Sequence, residues 1–173
     1  MSELVLFIDS GDTLVDESTQ VFDAAGNVLR AEFFPGTEAA LAALARAGVP
    51  MVMVADGRHR SFENVYAGHP VGALFAARVY SEDVGAEKPD GRMFRAALAA
   101  CGLTERDADR VVMVGNNVAR DVAGANRMGF TSVLIDRSPR YDYTPHGPDE
   151  RPDYVIHRLE ELAGVLAEVA RRD

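Results

Sequence analysis

Lysine is almost missing from this chain: of its 18 basic residues Lys88 is the one lysine, and the rest are arginines. Cysteine is as scarce. The lone Cys101 excludes an intramolecular disulfide and a cysteine-built zinc site, and it points to a reducing, cytoplasmic location. No apolar run approaches the roughly 18 residues of a membrane span. The first such run, Leu4 to Ile8, is also too short for a secretion signal and has no basic residues ahead of it. Positive charge is short overall, since 18 basic against 27 acidic residues leave a formal charge of −9. That balance argues against nucleic acid and a membrane surface as partners.

What is present suits one compact domain over residues 1–173, because 47% hydrophobic content is enough to bury a full core. Leu4 to Ile8 and Val49 to Ala55 are continuous apolar runs, as expected of strands buried on both faces, and each is followed by an aspartate, Asp9 or Asp56. Arg78–Ser81, Val111–Val114 and Thr131–Ile135 read as further strands, with a short one at Tyr154–Ile156. Helices are expected from Thr37 as N-cap to Ala47, over Arg58–Ala67, Pro89–Cys101 and Asn117–Met128, and from Leu159 to Ala170. Between residues 15 and 34, Gln20–Asp23 and Asn27–Phe33 flank Ala-Ala-Gly-Asn and resemble a hairpin, a small flap in place of a large cap. The pattern predicts an α/β fold: a three-layer, Rossmann-like parallel sheet of about five strands with helices on both faces. Ligands of such sheets bind at the carboxyl ends of the strands. Asp9, Asp56, the Ser81–Lys88 loop and the Gly115–Asp121 loop therefore meet along one edge.

The segments collected at that edge are Leu6-Phe7-Ile8-Asp9-Ser10-Gly11-Asp12-Thr13-Leu14, Met51 to Gly57, Ser81 to Asp90 with Lys88-Pro89, and Val112 to Asn117 running on to Arg120-Asp121-Val122-Ala123-Gly124-Ala125. In this order and spacing they resemble the haloacid dehalogenase superfamily, most of whose members are phosphatases. The resemblance implies Asp9 as nucleophile, forming an aspartyl-phosphate, and Lys88 as the clamp on the phosphoryl charge. Thr13 would order the nucleophile's loop. Mg²⁺ would be held by Asp9, the Gly11 backbone oxygen, Asn116 and Asp121. Ala55, Asp56, Gly57, Arg58 and Asn117 stand where the family binds substrate.

Three positions depart from that pattern. Gly11 replaces the second aspartate, the usual general acid, and Asp12, one residue on, is a candidate substitute. Ala55 replaces a phosphate-binding hydroxyl, and Asn116 replaces a metal carboxylate, which weakens the site for Mg²⁺. The expected substrate is a phosphorylated small molecule or macromolecule, with a second copy of the chain as a candidate cover for an open site. Three readings stand side by side at this point: a slow or re-specialised phosphatase, an inactive binding or regulatory protein on the same fold, and a metal-independent carbon–halogen hydrolase.

Overall fold

The computed structural model describes residues 4–171. In chain order its main elements are β1 (Val5–Ile8), β2 (Val15–Phe22), β3 (Val28–Phe33), α1 (Thr37–Arg46), β4 (Met51–Ala55) and α2 (His59–Tyr66). They continue with β5 (Ala77–Tyr80), α3 (Ser81–Val84), α4 (Gly91–Ala100), β6 (Val111–Gly115), α5 (Ala123–Met128), β7 (Thr131–Ile135), β8 (Tyr154–Ile156) and α6 (Leu162–Val169). Six strands form one parallel sheet in the order β5-β4-β1-β6-β7-β8, and β2 pairs with β3 as a separate antiparallel hairpin. The sheet has one strand more than the sequence pattern predicts. That strand is Tyr154–Ile156, read as a short strand from the sequence and joined to the sheet edge by pairing with Val133–Ile135.

Alternation along the buried strands builds a core on each face of the sheet. Leu6 and Ile8 face one side, with Met51, Met53, Val112 and Val114, under α1 and α6. Val5 and Phe7 face the other, with Val52, Val54 and Met113, under Met93, Phe94, Ala97 and Leu98 of α4. Among the described residues, no helix is long and apolar enough to cross a membrane.

Element boundaries differ from the sequence reading in three instructive places. Gly36, with φ of 85°, caps α1; Thr37 is instead its first residue, buried, with its hydroxyl donating to the Leu14 carbonyl at 3.4 Å. The flap's first strand begins at Val15 rather than Gln20, because the polar stretch Asp16–Thr19 hides a strand whose register is set by pairing Val15 with Phe33. The predicted helix over Asn117–Met128 opens with a π turn, Val118–Val122, in which the Asn117 carbonyl accepts from the N–H groups of both Asp121 and Val122.

The hairpin is fastened to α2. The Val28 N–H donates to Ser61 Oγ at 3.0 Å, Asn64 Nδ2 donates to the Val28 carbonyl at 2.8 Å, and the Phe33 ring meets Tyr66 edge-on at 5.5 Å. These contacts hold the hairpin beside the carboxyl end of β1, where the strand order reverses and a crevice opens.

Candidate active site

Asp9 leaves β1 with its N–H donating to the Val114 carbonyl at 3.0 Å, which ties the nucleophile candidate to the end of β6. Lys88 arrives from the loop between α3 and α4. Its ammonium has three donors, and each is used: Asp9 Oδ1 at 2.7 Å, Asp121 Oδ1 at 2.7 Å and the Val54 carbonyl at 2.8 Å. The Lys88 and Asp121 side chains are each 2% exposed. Burial alone would push the ammonium down, but the Asp121 and Asp9 carboxylates outweigh it and hold Lys88 above the ordinary lysine range. Asp121 is moved upward by burial, against the pull of Lys88. Thr13 Oγ1 donates to Asp9 Oδ2 at 3.1 Å and so orients the carboxylate, where the sequence reading expects it only to order the loop.

The π turn presents Asp121 to this cluster, and its Oδ2 accepts from the Asn117 N–H at 3.0 Å. Gly115 makes the approach feasible, because a Cβ there would overlap the Asp121 carboxylate. Gly115→Ala is accordingly expected to displace Asp121 from Lys88 and to cost about 1–3 kcal/mol, measurable as a lower urea midpoint.

Asp56 holds the loop in place from the other side. Its Oδ1 accepts the Lys88 backbone N–H at 3.0 Å and its Oδ2 pairs with Arg120 at 3.3 Å, while burial pushes its carboxyl above the usual range. Together these groups line a cavity of about 210 Å³ that also includes Gly11, Glu17, Asn116, Asn117 and Tyr141. Four carboxylates, Asp9, Glu17, Asp56 and Asp121, face two cations, Lys88 and Arg120.

Several residues expected at the site do other work. Asp12, with φ of 52°, is fully buried, and its carboxylate is taken by Arg140, by the Tyr141 hydroxyl at 2.6 Å and by the Glu17 N–H at 3.1 Å. It anchors the loop after β7 and is turned away from the cavity, so the idea that it replaces the missing acid is corrected by the direction of its side chain. Ala55 is packed into the core beneath the site and does not line the cavity. The Arg58 guanidinium donates to the Ala25 carbonyl at 2.6 Å and clasps the hairpin tip rather than waiting for an anion. Gly57 donates its N–H to Ser81 Oγ at 2.8 Å, and the Asn117 side chain caps the N–H groups of Ala119 and Arg120, each at 3.0 Å.

Over residues 6–129 the chain matches the haloacid dehalogenase-like hydrolases. It belongs to that family. Among its relatives, the phosphoserine phosphatase of Thermus thermophilus is 33% identical over 133 residues, covering 77% of this chain and 51% of the relative. The glyceraldehyde 3-phosphate phosphatase of Methanopyrus kandleri is 38% identical over 98 residues, 57% of this chain and 41% of the relative. An (S)-2-haloacid dehalogenase of Pseudomonas fluorescens is 29% identical over 134 residues, 77% of this chain and 56% of the relative. The chain thus spans about half the length of the curated relatives it matches.

For this haloacid dehalogenase-like hydrolase, the cavity chemistry bears directly on the family's Mg²⁺. Among the described residues, no three histidine, cysteine or carboxylate side chains are grouped as a ready metal cage. The donors are nonetheless all hard oxygens, and carboxyl groups outnumber cations in the lining, which suits a dication bound by one or two carboxylates and the substrate's phosphate. Asp9 and Asp121 would hold it, with the Gly11 backbone oxygen beside them. Asn116, expected beside them, lines the same cavity and is buried. Its Nδ2 is buried without a hydrogen-bond partner among the described residues, so as it stands it offers the cavity a donor, the group a phosphoryl oxygen accepts.

Glu17, Arg120 and Tyr141 complete the cavity, and sequence reasoning assigned no site role to the first two. Arg120 lies inside a quoted motif, one residue before Asp121. Glu17 carries no local signal, since only the fold of the hairpin brings it over Gly11.

Proposed function

We propose that this hydrolase is a phosphatase acting through Asp9, on a phosphorylated small molecule, with Mg²⁺ as its metal. The observation that carries the reading is the buried triad: a lysine ammonium held at 2.7 Å from each of two carboxylates at the carboxyl end of the central strand. A dehalogenase nucleophile has no phosphoryl charge to neutralise. Here Lys88, Arg120 and the Asn116 amide border one cavity, placing two positive charges and a donor where the charge of a phosphoryl group would be offset.

Asp9 attacks phosphorus as its bond to the leaving oxygen breaks, giving an aspartyl-phosphate that water then hydrolyses to regenerate Asp9. Thr13 keeps the attacking carboxylate oriented, and Lys88 stays protonated beside it throughout. Bound Mg²⁺ would supply charge neutralisation between the two anions. The hairpin and the Arg140–Tyr141 loop border the site, leaving room for a substrate body beyond the phosphate.

Phosphate release from an activated aryl phosphate and an acyl phosphate tests the reading, with Mg²⁺ present or removed by chelator. We expect a Mg²⁺-dependent rate that falls by about 100-fold or more on chelation. Metal-independent halide release from a 2-haloacid, without phosphate release, would replace this reading with the dehalogenase one. No turnover of either kind would leave a binding protein.

A further inference from the structure

The loss of the second aspartate leaves a space above Gly11, and that space is already filled. A Cβ built on Gly11 would overlap Glu17 Oε1 and stand 2.8 Å from Glu17 Cδ, so a carboxyl group from β2 lies where a side chain at position 11 would begin. The Glu17 backbone is held there, because its N–H donates to the buried Asp12 carboxylate at 3.1 Å.

A second observation concerns what lies on either side. Glu17 lines the polar cavity that contains Asp9 and Lys88, and it equally lines an adjoining cavity of about 230 Å³ walled by Val15, Val28, Phe62, Val65 and Tyr66. Among the described residues, Gly11 and Asp56 are the only others common to both linings. A phosphate ester with its phosphoryl group at Asp9 and its apolar body under the hairpin must place its bridging oxygen at that junction. That oxygen is the atom that needs a proton when the P–O bond breaks.

We propose that Glu17, delivered by the hairpin, is the proton donor to the leaving group, in place of the aspartate absent at Gly11, and that the leaving group is an alcohol with a compact apolar body. This rests on the phosphatase reading given above. In the first step Asp9 forms its bond to phosphorus, the P–O bond to the leaving group breaks, and the Glu17 proton passes to the departing oxygen, giving the free alcohol. In the second, the Glu17 carboxylate takes a proton from the attacking water as the Asp9–phosphate bond breaks, giving inorganic phosphate and restoring both side chains.

The test compares Glu17→Gln, which keeps size and hydrogen bonding, with the parent on two substrates: an alkyl phosphate with an apolar body and an activated aryl phosphate. The quantity read is kcat/KM, which reports the steps up to aspartyl-phosphate formation. Loss of a general acid is expected to lower the alkyl value by about 10²- to 10⁴-fold. The aryl value should fall much less, shifting the ratio by at least about tenfold. Gly11→Asp combined with Glu17→Ala, which removes the carboxyl that a Cβ at position 11 would overlap, is expected to recover alkyl turnover, because the emptied space can then take the carboxyl from position 11. Equal losses on both substrates, or none on either, would overturn the assignment. A parent rate on the aryl phosphate that is unaffected by Asp9→Asn would instead remove the phosphatase reading itself.

Discussion

Asp9→Asn is expected to lower kcat/KM for an activated aryl phosphate by about 10⁴-fold or more, the scale seen when an enzyme loses its nucleophile. The substitution is nearly isosteric, so the Thr13 and Lys88 contacts at 3.1 Å and 2.7 Å have partners to re-form with, and a folding defect would not account for the loss. An amide oxygen is a poor nucleophile towards phosphorus, and an activated leaving group bypasses any dependence on proton donation. The effect therefore isolates the attack step. The measurement is initial rate against substrate concentration with Mg²⁺, with the urea midpoint of both proteins as control. A residual rate within tenfold of the parent would remove Asp9 from the mechanism.

Lys88→Met is expected to cost about 3–5 kcal/mol of stability, the range for breaking a buried ion pair from one side. The parent geometry gives the reason: the ammonium makes three hydrogen bonds, two of them to buried carboxylates, and methionine replaces none. Asp9 and Asp121 would then face one another across an apolar chain, and like charges in a buried site favour protonation. A carboxylate whose folded-state pKa is raised binds protons more tightly in the folded than in the unfolded chain. The folding deficit of Lys88→Met should therefore shrink as pH falls and widen as it rises, the opposite of ordinary acid denaturation. Asp121→Asn in the same background is expected to recover part of the loss. Lys88→Arg should not restore the parent, since a planar fork cannot place three donors on Asp9, Asp121 and the Val54 carbonyl from one point. Urea unfolding of the four proteins at several pH values decides the matter, and a Lys88→Met cost under about 1 kcal/mol would show that the triad is not the electrostatic keystone of this site.

The solitary lysine links the composition to this chemistry. In a chain whose other basic residues are all arginine, the one ammonium stands where a compact cation must fit between two carboxylates. The arginines act by contrast as forks and clasps at the periphery. Arg140 grips Asp12, Arg58 closes the hairpin tip and Arg120 braces Asp56.

Much of the architecture was legible because it is periodic and local. Runs such as Val5–Ile8 and Met51–Ala55 are apolar throughout since both faces of the sheet are covered, and the aspartates after β1 and β4 fall at the ligand-binding edge by strand polarity alone. The four motifs place Asp9, Lys88, Asn116 and Asp121 near one another without any knowledge of side-chain direction. Asp12 shows the limit of that approach: it adjoins the site in sequence, but a backbone at φ of 52° turns it into the Arg140–Tyr141 anchor.

The sequence by itself determined the sheet, the order of its motifs, the family and the charged groups at its edge, because strand polarity and hydrophobic period act over a few residues. The tertiary structure alone decided which carboxylate stands over Gly11. Glu17 belongs to a polar strand with no motif of its own, and it reaches the site only because β2 and β3 pair and lean on α2. Such long-range placement depends on packing between segments far apart in the chain, and that information is carried by no short stretch of residues.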